Sequence, residues 1–127
     1  MHDINYMSNI NYKTLSADWI DAWNKHDIDR IMNHYADDVE FHSPTVNKRW
    51  NITDGKLTGK EKLKQHFLKG FKEMPNLHFE FIELVPEKES VIITYKRETG
   101  QIVSDYIRLN ENGKAILVNA YYHLKEQ

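Results

Sequence analysis

The chain has 127 residues, with 17 basic and 19 acidic side chains and a net charge of -2. This length corresponds to one domain, and the 40% hydrophobic and 28% charged residues are typical of an ordinary globular protein. The charge balance provides no basic surface for nucleic acid. The absence of cysteine excludes a disulfide framework and a thiolate nucleophile, and it favours a cytoplasmic location.

Residues 1–13 are polar, and no segment approaches the ~18 apolar residues of a membrane-spanning helix. We therefore expect neither a signal peptide nor a membrane association. No repeat, low-complexity tract or linker divides the chain. The expected organisation is a polar N-terminal segment over residues 1–13 and a single domain over residues 14–127.

The first half of the chain predicts two helices and a short strand. Thr14 or Ser16 is expected to cap a first helix, whose apolar side chains recur at helical spacing. These side chains are Leu15, Trp19, Ala22 and Trp23. Asp27 is expected to cap a second, short helix. Residues 39–43 alternate as a strand that ends before Pro44.

Residues 44–58 show no clear period and predict a long loop with an Asp54-Gly55 turn signal. Loops of this length commonly act as lids or binding loops. Trp50 is expected either to cover a site or to anchor the loop. Gly59 begins a third helix, which has an apolar face and ends at Pro75.

The second half predicts four consecutive strands separated by turn-forming segments. They cover residues 77–85, 91–98, 101–109 and 114–122. Helices followed by an antiparallel meander define an α+β fold. Ile102 and Tyr106 lie on one face of the sheet, and Val103 and Ile107 lie on the other, so both faces carry apolar side chains. We therefore expect a homodimer through the outer face of the sheet.

Six short motifs mark the chain after residue 13. They are Trp23-Asn24-Lys25-His26-Asp27-Ile28-Asp29, Tyr35-Ala36-Asp37-Asp38-Val39, Phe41-His42-Ser43-Pro44, Gly59-Lys60-Glu61, Asn112-Gly113-Lys114 and Ala120-Tyr121-Tyr122. In order and spacing they resemble the nuclear-transport-factor-2-like superfamily, above all its SnoaL-like (polyketide cyclase-like) and ketosteroid isomerase-like branches. The resemblance implies a cone-shaped, curved antiparallel sheet with three N-terminal-half helices packed on its concave face around a pocket. Such proteins are usually dimeric and include both enzymes and non-catalytic binders, so the fold alone does not fix the function.

Asp105 is the first candidate catalytic residue. It alternates with Val103, Ile107 and Leu109, which places a carboxyl group on the apolar, inward face of a strand. A buried carboxyl either finds hydrogen-bond donors or has a raised pKa and becomes a proton donor. In the ketosteroid isomerase-like branch, the acid at this register donates a hydrogen bond to an oxyanion. The alternative is that an indole N–H or a tyrosine hydroxyl holds Asp105 as part of the core.

The sequence departs from the isomerase pattern at two positions. Ser43 occupies the position of the general base, and a serine hydroxyl does not act as a base unaided. Trp19 occupies the position of a catalytic tyrosine, and its N–H donates a hydrogen bond but does not exchange a proton. Steroid isomerisation is therefore not expected. Trp19 is retained as a second candidate, either as a donor to the ligand or as the partner of Asp105.

An aromatic set is expected to line the pocket or, in the alternative, to form a plain hydrophobic core. The predicted lining is Trp19, Trp23, Phe41, Ser43, Phe67, Phe71, Phe79, Phe81, Tyr95 and Tyr122. The seven histidines lack the close pairing of zinc sites, and no phosphate loop or dinucleotide fingerprint is present, so we expect no metal and no cofactor. His66 is expected to reach the pocket mouth, and His34 and His123 are weaker candidates for proton transfer.

Three functions remain open. The first is a pocket protein that isomerises, cyclises or hydrates a hydrophobic small molecule without a cofactor, with Asp105 as the acid. The second is a non-catalytic ligand-binding or carrier domain, which the serine at position 43 favours. The third is a dimeric protein-interaction module. None of the three involves nucleic acid or a membrane.

Overall fold

The computed structural model describes residues 10–124, which form four helices and six strands. The helices are α1 (Tyr12–Asn24), α2 (Ile28–Met32), α3 (Pro44–Trp50) and α4 (Lys60–Glu73). The strands are β1 (Tyr35–His42), β2 (Lys56–Thr58), β3 (Phe79–Pro86), β4 (Ser90–Arg97), β5 (Ile102–Leu109) and β6 (Ala115–Tyr122). No helix in residues 10–124 has both the length and the apolar character needed to cross a membrane.

The six strands form one curved sheet in the order β2-β1-β6-β5-β4-β3, with the helices on one side. The predicted α+β class is thereby confirmed. The strands from β3 to β6 form the expected antiparallel meander. The pair β1 and β6 differs, because these strands run parallel to each other. Parallel neighbours require a long connection, and here the helices α3 and α4 and the whole meander separate the two strands.

The core lies between the helices and the inner face of the sheet. On β5, the alternation predicted from the sequence is present: Val103, Asp105, Ile107 and Leu109 are all buried. Helix α1 contributes the buried Trp19, Ala22 and Trp23 at the predicted helical spacing. The two indoles pack on the ring of Phe79 from β3, at centroid distances of 5.7 and 5.2 Å.

The start of α1 differs from the prediction. Asn11 caps the helix, and its side chain accepts a hydrogen bond from the Thr14 N–H at 3.0 Å. The predicted caps, Thr14 and Ser16, lie inside the helix, because asparagine in the preceding extended residue already satisfies a first-turn donor. For α2 the prediction is confirmed, since Asp27 accepts from the Arg30 N–H at 3.2 Å.

The predicted loop over residues 44–58 is wrong. This segment contains helix α3 and strand β2, so the described residues form four helices instead of the three predicted. Ser43 caps α3, Pro44 occupies its first turn, and Asn51 ends it in the left-handed conformation, with φ of 56°. Gly55, with φ of 67°, then turns the chain so that β2 pairs with β1. The segment therefore forms a short wall beside the sheet.

Candidate functional site

A cavity of about 70 Å³ lies between the inner face of the sheet and the helices. Eight of the ten side chains predicted to line a pocket are in its wall: Trp19, Trp23, Phe41, Ser43, Phe67, Phe79, Tyr95 and Tyr122. Asp105 is also in the wall. The rings interlock closely. Phe79 and Tyr95 stack at 4.0 Å, and Trp23 meets Phe67 edge to face at 4.6 Å.

Two predicted lining residues are elsewhere. Phe71 packs behind Trp23 and stacks on His26, with ring centroids 4.3 Å apart. Phe81 lies on β3, the edge strand, where its side chain is 48% exposed. Strand alternation predicted an inward position for Phe81. However, the strand pairing with β4 shifts by one residue directly after Phe81.

Asp105 is 5% exposed, and its two carboxyl oxygens are in different environments. The Tyr95 hydroxyl donates a hydrogen bond to Oδ2 at 3.1 Å. Oδ1 is buried and has no hydrogen-bond partner in the described part of the chain. Burial raises the pKa of Asp105 to about 7, and the Tyr95 hydrogen bond offsets part of this rise. The carboxyl group is therefore protonated below about neutral pH.

Trp19 does not pair with Asp105, so that alternative is excluded. Its indole N–H points to the Tyr35 hydroxyl at 3.5 Å, and its ring packs 5.6 Å from Tyr95. Because Tyr95 occupies Oδ2 as a donor, the proton of neutral Asp105 belongs on Oδ1. The cavity wall thus contains one carboxylic acid whose O–H has no hydrogen-bond partner within the described part of the chain.

A second set of polar side chains surrounds His66, which lies in the wall and is 2% exposed. The Trp50 N–H donates to Nδ1 at 3.0 Å, and Thr45 Oγ1 lies 3.2 Å from Nε2. Arg49 Nη1 is 3.2 Å from Nδ1 and 3.1 Å from Nε2. The two ring nitrogens of an imidazole point in different directions within the ring plane. Because Arg49 Nη1 is about equally close to both, it lies over the face of the His66 ring. Burial and the Arg49 charge lower the pKa of His66 to about 3.

These contacts fix the tautomer of His66. An indole N–H only donates, so Nδ1 is the acceptor and the single proton is on Nε2. Nε2–H donates to Thr45 Oγ1, whose hydroxyl lies 2.8 Å from Ser43 Oγ. Burial and Asp105 raise the pKa of Tyr122, and Ser43 offsets part of this rise. A row of hydrogen-bonding groups therefore runs from Trp50 at the surface through His66 and Thr45 to Ser43 in the cavity wall.

The sequence identified only part of this second set. His66 was expected at the pocket mouth, and it lies in the wall. Trp50 was expected to cover a site or to anchor its segment; it contacts His66, and the Lys69 ammonium lies 4.8 Å above its ring. Thr45 and Arg49 were missed because their segment was taken for a loop. The available signal was Ser43-Pro44, a helix cap followed by a first-turn proline.

The remaining candidate histidines lie away from the cavity. His34 bonds Asp18 at 2.8 Å, and burial lowers its pKa. His123 bonds Ser104 at 2.8 Å. Among residues 10–124, no three His, Asp or Glu side chains are grouped so that they would hold a metal ion.

Comparison with known proteins agrees with this architecture. A family model described as SnoaL-like domain matches residues 17–125. A SnoaL-like protein of unknown function from Burkholderia thailandensis is 32% identical, with a TM-score of 0.83, over 89% of this chain and 95% of that chain. The chain therefore belongs to the SnoaL-like family. No match was found among curated proteins.

Two more distant structures share the fold. A proposed ketosteroid isomerase from Kribbella flavida has a TM-score of 0.71 at 14% identity, covering 90% of this chain and 78% of that one. A proposed polyketide cyclase from Sinorhizobium meliloti has a TM-score of 0.70 at 10% identity, covering 91% of this chain and 98% of that one. At these identities the likeness extends to the fold alone.

The buried carboxyl group makes stability depend on pH. Between the unfolded pKa of 3.8 and the folded value of about 7, the folded state binds a proton that the unfolded state has lost. Stability therefore falls as pH rises through this range. From about pH 5 to about pH 8, we expect the free energy of unfolding of wild type to fall by roughly 3 kcal/mol relative to that of Asp105→Asn. One bound proton changes this free energy by about 1.4 kcal/mol for each pH unit. Urea unfolding at each pH measures this difference, with the exposed Asp37→Asn as control; parallel curves for wild type and Asp105→Asn would contradict it.

The tautomer of His66 is directly measurable by ¹⁵N NMR. We expect an unprotonated Nδ1 and a protonated Nε2, unchanged from about pH 5 to about pH 8, because the pKa is about 3. Trp50→Phe removes the donor to Nδ1 and should allow both tautomers to be populated. A doubly protonated ring at pH 6, or a proton on Nδ1 in wild type, would disprove the assignment.

Proposed function

We propose that the cavity binds a small molecule through an oxygen atom that accepts a hydrogen bond from Asp105, and that Asp105 acts as a general acid in a cofactor-independent isomerisation, cyclisation or hydration. The observation that carries this proposal is Oδ1 of Asp105, a buried polar atom without a partner in the cavity wall. Buried polar atoms are normally satisfied, and unsatisfied ones are associated with ligands, water or catalysis. A pKa of about 7 suits proton transfer near neutral pH.

The size of the cavity limits the ligand. Sites for drug-sized molecules occupy roughly 300–1,000 Å³, whereas this cavity measures about 70 Å³. In this conformation it takes a few heavy atoms, either a very small molecule or the reactive end of a larger one. The rings of Trp19, Trp23, Phe67 and Phe79 favour an apolar group at that end.

The same wall supports a second candidate, a binding or carrier domain without catalysis. Ser43, at the position of the isomerase base, accepts the Thr45 N–H at 3.2 Å and caps α3. His66 uses both ring nitrogens within the wall. No second carboxylate lines the described cavity beside Asp105. A hydrogen-bond donor without a strong base is sufficient to hold an oxygen atom in place.

Small neutral ketones test the role of Asp105. We expect cyclopentanone, cyclohexanone or acetophenone to bind wild type at pH 6 and to bind about tenfold more weakly at pH 9, because the ionised carboxylate no longer donates. Asp105→Asn should bind equally at both pH values, since its amide does not titrate. NMR titration measures affinity, and deuterium exchange at the ketone α-carbon measures enolisation.

The outcomes separate the two candidates. Exchange that is faster with wild type than with Asp105→Asn supports the enzyme. Binding without exchange supports the carrier. Ketone binding that depends neither on pH nor on Asp105 would show that Asp105 is not part of the binding site. Asp37→Asn, at an exposed position, is again the control.

We also propose a homodimer through the outer face of the sheet. Tyr121 on this face is 58% exposed, and Ile92, Ile102 and Tyr106 are only partly buried. An antiparallel sheet with one solvated face normally carries polar side chains there. A second copy of the same face would bury these apolar groups.

The dimer is tested by a charge in the centre of this face. Tyr106→Glu is expected to give a monomer in sedimentation velocity, because like charges would meet across a symmetric interface. Lys72→Glu, on the exposed side of α4, should leave the dimer intact. A wild-type chain that stays monomeric at the highest attainable concentration would rule out this interface.

A further inference from the structure

Two arginine side chains lie in the cavity wall, together with Gly70, Met74 and Leu77. Arg49 comes from α3 and Arg97 from the end of β4. Their side chains are only 8% and 10% exposed, so both guanidinium groups are largely removed from water. Buried cations of this kind are stabilised by anionic partners and by hydrogen bonds to their remaining donors.

The acidic partners lie outside the cavity wall and engage only part of each guanidinium. Arg49 Nε donates to Glu73 Oε1 at 3.1 Å, and Glu73 is 52% exposed. Arg97 donates to Glu98 through Nε and Nη2, both at 3.0 Å. Neither glutamate lines the cavity. Within residues 10–124, Arg49 Nη2 and Arg97 Nη1 make no hydrogen bond, so each arginine retains donor capacity.

The ionisable groups in the wall thus include one carboxyl group and two guanidinium groups. Asp105, on the middle of β5, is neutral below about pH 7. Arg49 and Arg97 remain cationic, and both lower the pKa of Tyr122, which burial and Asp105 raise. Both cations thus act on the same phenol in the wall. A ligand that satisfies this wall needs an anionic group for the arginines and an oxygen acceptor for Asp105.

We infer that the ligand is a small organic carboxylate that carries a carbonyl oxygen. Its carboxylate binds Arg49 and Arg97, and its carbonyl accepts the hydrogen bond of Asp105. This inference rests on the proposed function for the Asp105 end and adds the chemistry of the other end. The two oxygens of one carboxylate can accept from Arg49 Nη2 and Arg97 Nη1, and Met74 and Leu77 accommodate the carbon chain beside it.

Three related probes separate the two ends. Levulinate has a carboxylate and a ketone, valerate lacks the ketone, and methyl levulinate lacks the charge. For wild type at pH 6, we expect levulinate to bind most tightly, with valerate and methyl levulinate each about tenfold weaker, because each lacks the hydrogen bonds of one end. NMR titration gives the three affinities, and inorganic phosphate is included as a non-carboxylate anion.

Variants assign each loss to a residue. Arg97→Gln and Arg49→Gln should weaken levulinate and valerate about tenfold and leave methyl levulinate unchanged. Asp105→Leu, whose side chain has no hydrogen-bond donor, should weaken only the two ketones. Arg108→Gln is the matched control, because Arg108 lies on β5 with a side chain 51% exposed and outside the cavity wall.

Glu73→Gln provides a test that does not depend on removing a buried arginine. This change releases Arg49 from its competing carboxylate at an exposed position, so levulinate and valerate should bind more tightly, by about two- to fivefold. Methyl levulinate should be unaffected. A gain confined to the carboxylates would support the inference even if an arginine variant failed to fold.

The inference is overturned if no carboxylate gives a saturable shift, if methyl levulinate binds as tightly as levulinate, or if phosphate binds in preference to both acids. Loss of the levulinate-over-valerate preference in wild type, with retained dependence on Arg97, would instead overturn the role of Asp105 and leave the carboxylate site standing. The two proposals can therefore fail separately.

Discussion

The hydrogen bond from the Tyr95 hydroxyl to Oδ2 of Asp105 constrains the chemistry of the whole cavity. Strand pairing delivers both side chains to the inner face, since Tyr95 lies opposite Val103 and Asp105 opposite Ile93. The bond satisfies one carboxyl oxygen and leaves the other without a partner among the described residues. Helix α1 then covers the pair with Trp19, and this burial keeps the acid protonated near neutral pH.

The part of the wall around His66 is organised differently, because a short helix fixes its charged and hydrogen-bonding side chains. Helix α3 is only seven residues long, yet it presents Thr45 and Arg49 to His66. Gly70 on α4 lies beside this guanidinium, since a Cβ there would make ordinary van der Waals contact with the Arg49 nitrogens at 3.5 Å. Asp105 therefore titrates near pH 7, while His66 keeps its neutral tautomer throughout that range.

Much of this arrangement followed from the sequence. Period-two alternation placed Asp105 among buried residues, and helical spacing placed Trp19 and Trp23 against the sheet. Helix α3 was missed because Val46 and Trp50 are its only large apolar pair, too short a pattern to distinguish from a loop. Phe81 was placed inside because alternation does not reveal which strand lies at the edge. Arg97 continues the inward alternation of Ile93 and Tyr95, a signal that could have identified it.

The parallel pairing of β1 with β6 has a consequence for folding. The first and last strands within residues 10–124 are neighbours, so the sheet is complete only when these two strands meet. Phe41 from β1 and Tyr122 from β6 both belong to the cavity wall. The meander can assemble from contacts close in sequence, whereas the site requires this distant closure. A molecule bound there bridges the early and late halves of the chain, and it would therefore stabilise the domain as a cooperative unit instead of one local segment.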